Sequence, residues 1–108
     1  MLNGSLNKRL ASPSFATTDT TTSSDIKDYI SKNLNRGISY LQIYDSKSKF
    51  FEKPGNWFIV VLSQDDVSAA MLAINHWDGT VKLLRNILED GLYKTYIQTI
   101  STSDMKLF

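Results

Sequence analysis

The one histidine of the chain, His76, stands two residues before Asp78. An imidazole oriented by a carboxylate is half of a general base, and the other half is a nucleophile or substrate within hydrogen-bond reach. No glycine-rich phosphate loop, no paired histidine ligands and no serine elbow accompany His76 in the sequence. Its position at the end of an apolar stretch suits a favourable charge near the negative pole of a helix. The pattern therefore supplies no catalytic residue, no metal ligand set and no cofactor site, and the chain reads as a non-enzyme.

A second group of chemistry-bearing residues is Lys47, Lys49 and Lys53, which flank Phe50-Phe51. Cations interleaved with rings grip single-stranded nucleic acid by charge and stacking. The charge balance points elsewhere. The chain carries 12 Lys/Arg against 11 Asp/Glu, a formal net charge of +1, whereas nucleic-acid binders carry a basic excess. Weak single-strand binding is kept as the alternative reading, with those three lysines as its contacts.

The third group is aromatic. Tyr40, Tyr44, Phe50, Phe51, Trp57, Phe58, Trp77, Tyr93 and Tyr96 all fall after residue 24, more rings than a small core readily holds. Tyrosines left at a surface are common interface anchors, offering large area at small entropic cost. Tyr40, Tyr44, Phe50, Phe51, Tyr93 and Tyr96 are the candidate interface residues. They predict a small protein–protein interaction or regulatory module, an adaptor that docks to another protein or to itself. Strand edges at Ile38–Tyr44 or Leu92–Ile100 would contribute.

The elements that position these side chains are organised around Gly55–Ser63, whose residues Trp57 to Leu62 are all apolar. Branched and aromatic residues favour a pleated strand, and apolar groups on both faces predict a central strand covered on both sides. Upstream, Ile26, Tyr29, Ile30 and Leu34 recur at helical spacing behind Ser24 or Asp25 as cap, with Gly37 as the stop. Ile38–Tyr44 reads as a strand. Downstream, Gln64–Trp77 reads as a helix capped by Asp65, because its Ser, Ala, Met and Leu residues are better helix formers than strand formers. Thr80–Ile87 and Leu92–Ile100 then form a hairpin about Glu89-Asp90-Gly91.

Taken together, two helix–strand–strand units predict an α+β fold: a four-stranded, mainly antiparallel sheet with two helices on one face. Asp25-Ile26 in the first unit is answered by Asp66-Val67 in the second. Residues 1–24 are rich in Ser and Thr and poor in large apolar groups, so a disordered tail is expected ahead of a single domain over residues 25–108. Leu2, Leu6 and Leu10 with Lys8 and Arg9 and no acid in the first 18 residues are also the composition of a mitochondrial presequence. Ser12-Pro13 offers an exposed hydroxyl before proline. With no cysteine and no apolar run near the roughly 20 residues of a membrane span, the expectation is an intracellular soluble protein, or a matrix protein if the first 18 residues act as a leader.

Phe58–Ser63, FIVVLS, resembles the FLVRES strand of SH2 domains. The residues that follow, Gln64 to Ala69, Leu72, Ile74 and Trp77-Asp78, are similar to that family's next strand. Arg36 and Arg85 fall at positions resembling two of its basic residues. The resemblance implies an alternative fold, a sheet between two helices, and a peptide-binding role. The position of the phosphotyrosine-gripping arginine is Val61, and the phosphate loop carries Asp65 and Asp66, whose charges repel a phosphate. The implied domain would lack phosphotyrosine recognition.

Overall fold

A computed structural model describes residues 13–64, 69–101 and 106–107. Its elements are β1 (Ser14–Ala16), α1 (Ser23–Asn35), β2 (Tyr40–Asp45), β3 (Gly55–Gln64), β4 (Ala69–Asn75), β5 (Val81–Glu89) and β6 (Leu92–Ser101). They build one mixed six-stranded sheet in the order β1-β2-β3-β4-β5-β6. β1 runs parallel to β2, and every later pair is antiparallel. A parallel neighbour needs a crossover, and α1 supplies it.

α1 begins with a reciprocal cap. The Asp25 N–H donates to Thr22 Oγ1 at 3.1 Å, and the Thr22 N–H donates to Asp25 Oδ2 at 2.8 Å. Such a box satisfies two otherwise orphaned amides and contributes about 1 kcal/mol. The helix buries Ile26, Ile30 and Asn33, one stripe spaced four and three residues apart. It ends where Gly37 takes φ +79°, a left-handed stop that glycine adopts without steric penalty.

The stripe packs on one side of the sheet only. Ile26 and Ile30 join Leu41 and Ile43 of β2, Trp57 and Ile59 of β3, Met71 and Ala73 of β4, Leu84 of β5 and the loop residue Phe51 in a single buried cluster. Phe51 is set there by Asp45, a fully buried carboxylate. Asp45 accepts from the backbone N–H groups of Lys49 at 2.8 Å and of Phe50 and Phe51 at 3.0 Å each. Three amide donors satisfy the charge that burial would otherwise penalise. They also curl the β2–β3 loop so that Phe51 stacks on Trp57, ring centroids 4.3 Å apart. The β5–β6 hairpin turns on Asp90 and Gly91, both at positive φ, the signature of a two-residue turn matching strand twist.

This architecture corrects the expected one. There is one helix among the described residues, not two, and the sheet is six-stranded and mixed rather than four-stranded. The decisive difference is at Ala69–Asn75, within the stretch expected to be helical. It pairs with β3 on one side, Phe58 opposite Ile74, and with β5 on the other, Leu72 opposite Leu83. Two ladders of tertiary hydrogen bonds outweigh the weak intrinsic preference of Ala, Met and Leu for helix. The strand at Ala69–Asn75 is the one the SH2-like alternative called for, but the helix count overturns that alternative: among the described residues α1 is the one helix, lying on one side of a six-stranded sheet, where a sheet between two helices was implied. Ile38–Tyr44 was expected to offer a sheet edge, yet β2 is interior, held between β1 and β3. The helix cap is Thr22 rather than Ser24 or Asp25. β1 lies within the stretch read as a tail. Of the leader-like first 18 residues, 1–12, Ser12 included, lie outside the described residues, as do Asp65, Asp66 and Val67.

Candidate functional site: an uncovered sheet face

Because side chains alternate across a strand, the residues between those of the buried cluster all point away from α1. Register aligns them into rows. Tyr40, Val60, Leu72, Leu83 and Gln98 lie side by side across five strands, and Gln42, Phe58, Ile74 and Val81 form the neighbouring row. Ala70, Arg85 and Tyr96 form a third. No element among the described residues packs over these rows.

The face is apolar and wet. Leu62, beside the irregularity that shifts the β3–β4 register, is 57% exposed, and Ile74 near the centre is 39% exposed. Phe58, Val60, Leu72, Val81 and Leu83 are half-buried. Trp77, 50% exposed, leans from the β4–β5 turn onto Tyr44, with centroids 5.6 Å apart in an edge-on arrangement. Asn75 builds that turn. Its Nδ2 donates to the Pro54 carbonyl at 3.1 Å, and its Oδ1 accepts from the Trp77 N–H at 3.0 Å.

Polar groups rim the face. Gln42 Nε2 donates to Asn56 Oδ1 at 3.0 Å. At the hairpin end, the Tyr96 hydroxyl donates to Glu89 Oε1 at 2.7 Å, while Lys94 Nζ lies 3.5 Å from Glu89 Oε2. The bond to Glu89, followed by partial desolvation and the carboxylate's charge, raises the Tyr96 phenol above its ordinary pKa. An apolar centre with a hydrogen-bonded rim is the anatomy of a protein interface.

Of the residues singled out from sequence, Tyr40, Tyr44 and Tyr96 are exposed on this face. Tyr93 is exposed on β6, in register with Leu88, on the opposite side of the sheet. Phe50 is half-buried against the core, and Phe51 lies wholly inside it, so neither belongs to the open face. The three lysines do not converge on a shared groove. Lys47 Nζ pairs with Asp19 Oδ1 at 3.2 Å, Lys49 Nζ donates to the Asp19 carbonyl at 3.0 Å, and Lys53 Nζ is 2.6 Å from Asp78 Oδ2. The side-chain bond from Lys53, then the Thr80 amide, hold the Asp78 carboxyl down at about 2. Asp78 is thus committed to Lys53 and Thr80 rather than to His76, whose ring instead meets Phe58 edge-on at 5.8 Å.

Leu62, Ile74, Trp77 and Ile100 belong to the exposed set and were not among the six sequence candidates. The available signal was that the runs forming β3 and β4 carry apolar residues at successive positions, and so on both faces of a strand, while α1 is the one helix among the described residues to cover them. No protein-family model, curated protein or solved structure matches the chain. A functional reading has to come from the surface itself.

Proposed function

We propose that the chain is a non-catalytic interaction module that self-associates, closing its open sheet face against the same face of a second copy. The observation that carries this reading is the size of the exposed apolar patch. Tyr40, Tyr44, Leu62, Ile74, Trp77, Tyr96 and Ile100 each leave between 39% and 57% of their surface in water. Taking about 150–250 Å² for a large side chain, together they present on the order of 700 Å². That exceeds the roughly 300–600 Å² patch usual on a monomer. It approaches the roughly 800 Å² that each partner gives to a standard interface.

A second copy suits the patch for two further reasons. A net charge of +1 leaves little long-range repulsion between copies. An isologous contact covers both apolar faces at once, forming a two-sheet sandwich with α1 on the outside of each sheet. The outer edge of β6, ten residues without proline, borders the face and offers backbone groups for strand pairing at the rim.

The test is sedimentation equilibrium over a wide concentration range, on the wild-type chain and on Ile74→Lys. The expected result is a monomer–dimer equilibrium for the wild type. The variant, folded by circular dichroism, should dissociate at least tenfold more readily, the scale of a central hot spot. A wild-type chain that stays monomeric throughout, or a dimer indifferent to Ile74→Lys, overturns the reading.

A further inference from the structure

On the helix side of the sheet, at the opposite surface from the proposed docking face, Lys82 interrupts the apolar pattern. It lies in register with Ala73 of β4 and Thr99 of β6. Its side chain is only 5% exposed. An ammonium carries three donors, and burying one is unfavourable unless they are met by acceptors. Lys82 Nζ makes no hydrogen bond within the described residues. Its nearest carboxylate oxygen, Glu52 Oε2, is 3.9 Å away, and the Glu52 side chain is 88% exposed. That is charge neutralisation by a loosely held group rather than by a fixed partner.

The surroundings of Lys82 are open to a ligand. A cleft of about 220 Å³ is lined by Glu52, Lys53, Thr80, Lys82 and Thr99. Lys53 is already neutralised by Asp78 at 2.6 Å and donates to Thr80 Oγ1 at 3.0 Å. The Thr80 hydroxyl is thus engaged on both sides, accepting from Lys53 and donating to the Asp78 carboxylate, which leaves the Thr99 hydroxyl to donate into the cleft. Among the described residues lining the cleft, the ammonium of Lys82 is therefore the cation without a fixed counter-charge, with the Thr99 hydroxyl and a second ammonium beside it. We propose that this cleft is a binding site for a small phosphate-class oxyanion, held by Lys82 with Lys53 and Thr99 and walled by Thr80, and that Glu52 is its displaceable intramolecular competitor. Several donors arriving from different residues suit a tetrahedral anion with many acceptor lone pairs, and lysine serves such anions as a point charge. The inference is independent of the self-association reading, since Lys82 and the open face lie on opposite sides of the sheet.

The experiment is a titration of the full chain with sodium phosphate, followed by amide chemical shifts, against sodium chloride at matched ionic strength and against sodium acetate. Saturable shifts of the Thr80, Lys82 and Thr99 amides are expected with phosphate and not with chloride. Lys82→Met should abolish them while the rest of the spectrum is preserved. Thr99→Val, which leaves the buried lysine in place, should weaken the binding. Glu52→Gln should tighten it about threefold, the scale of removing one exposed like charge. Shifts that rise linearly with either salt, saturation that survives Lys82→Met in a folded variant, or weaker binding in Glu52→Gln would overturn the site. Saturation by acetate but not by phosphate would overturn the phosphate-class assignment.

Discussion

Trp77 meets Tyr44 edge-on, ring centroids 5.6 Å apart with planes at 76°, although one sits in the β4–β5 turn and the other on β2. The contact spans β3, which lies between their strands, and so ties the turn to the open side of the sheet. Its companion tryptophan, Trp57, is fully buried on the other side, stacked on Phe51. The two indoles therefore report on opposite faces of one sheet.

The first prediction uses that division. In a Trp57→Phe background, Trp77 alone should emit at long wavelength and be readily quenched by iodide at low protein concentration. As concentration rises its emission should shift to the blue and quenching should fall, because self-association covers it. Concentration-independent quenching would remove Trp77 from any contact.

The second concerns Gly55 and Asn75. A Cβ at Gly55 would run into the Asn75 side-chain amide, which is 1% exposed and fixed by its bonds to Pro54 and Trp77. Gly55→Ala should destabilise by about 2–3 kcal/mol through overpacking. Asn75→Ala should lose about 1–3 kcal/mol by stranding the Pro54 carbonyl and the Trp77 amide. Because the alanine at 75 makes room for the one at 55, the double variant should lose less than the sum of the two, measured by urea unfolding.

The same pair shows what was legible in the sequence. Helix α1 could be read because Ile26, Ile30 and Leu34 recur at helical spacing beside polar neighbours, and the hairpin because Asp90-Gly91 separates two strand-forming runs. β4 could not. Ala69, Met71 and Ala73 go inward while Ala70, Leu72 and Ile74 go outward, so both faces are apolar and the period-2 signal vanishes into a continuous run. What remained was intrinsic propensity, which favours helix for these residues, and pairing with β3 and β5 overrode it. That one misreading moved the candidate site. A helix over Gln64–Trp77 takes Ile74 out of the sheet, and a strand covered on both sides hides Phe58, so neither counts toward the uncovered face, whereas Phe51, expected at the interface, is core.

Acid should reveal the contact between Lys53 and Asp78, which links the β2–β3 loop to the β4–β5 turn. Asp78 ionises at about 2 in the folded chain against an ordinary 3.8. A depressed carboxyl stabilises the fold fully above its unfolded value, and that stabilisation is lost as pH falls from about 4 toward about 2. Both side chains are partly exposed, so solvent screening holds the contribution below about 1 kcal/mol. Asp78→Asn keeps an acceptor for the Thr80 amide while removing the charge. The stability gap between wild type and Asp78→Asn, by urea unfolding, should be constant from pH 5 to 7 and close between pH 4 and 2. A gap that persists unchanged at pH 2 would contradict the ion pair.

Tyr29 offers the converse case, a polar atom whose removal should help. Its ring lies 5.0 Å from Phe15 of β1 and packs against the core, but its hydroxyl is buried without a partner among the described residues. Desolvation raises its pKa, as expected of a phenol held in apolar surroundings. Phenylalanine keeps the ring contacts and removes the unsatisfied hydroxyl, so Tyr29→Phe should leave stability unchanged or raise it by up to about 1 kcal/mol. Phe15→Ala, which deletes the facing ring and exposes the α1 side of β1, should instead lower it by about 2 kcal/mol or more. Chemical denaturation of the two variants measures both signs. A loss above about 1 kcal/mol in Tyr29→Phe would mean that the hydroxyl is hydrogen-bonded in solution, and the helix–β1 contact would then be polar rather than apolar.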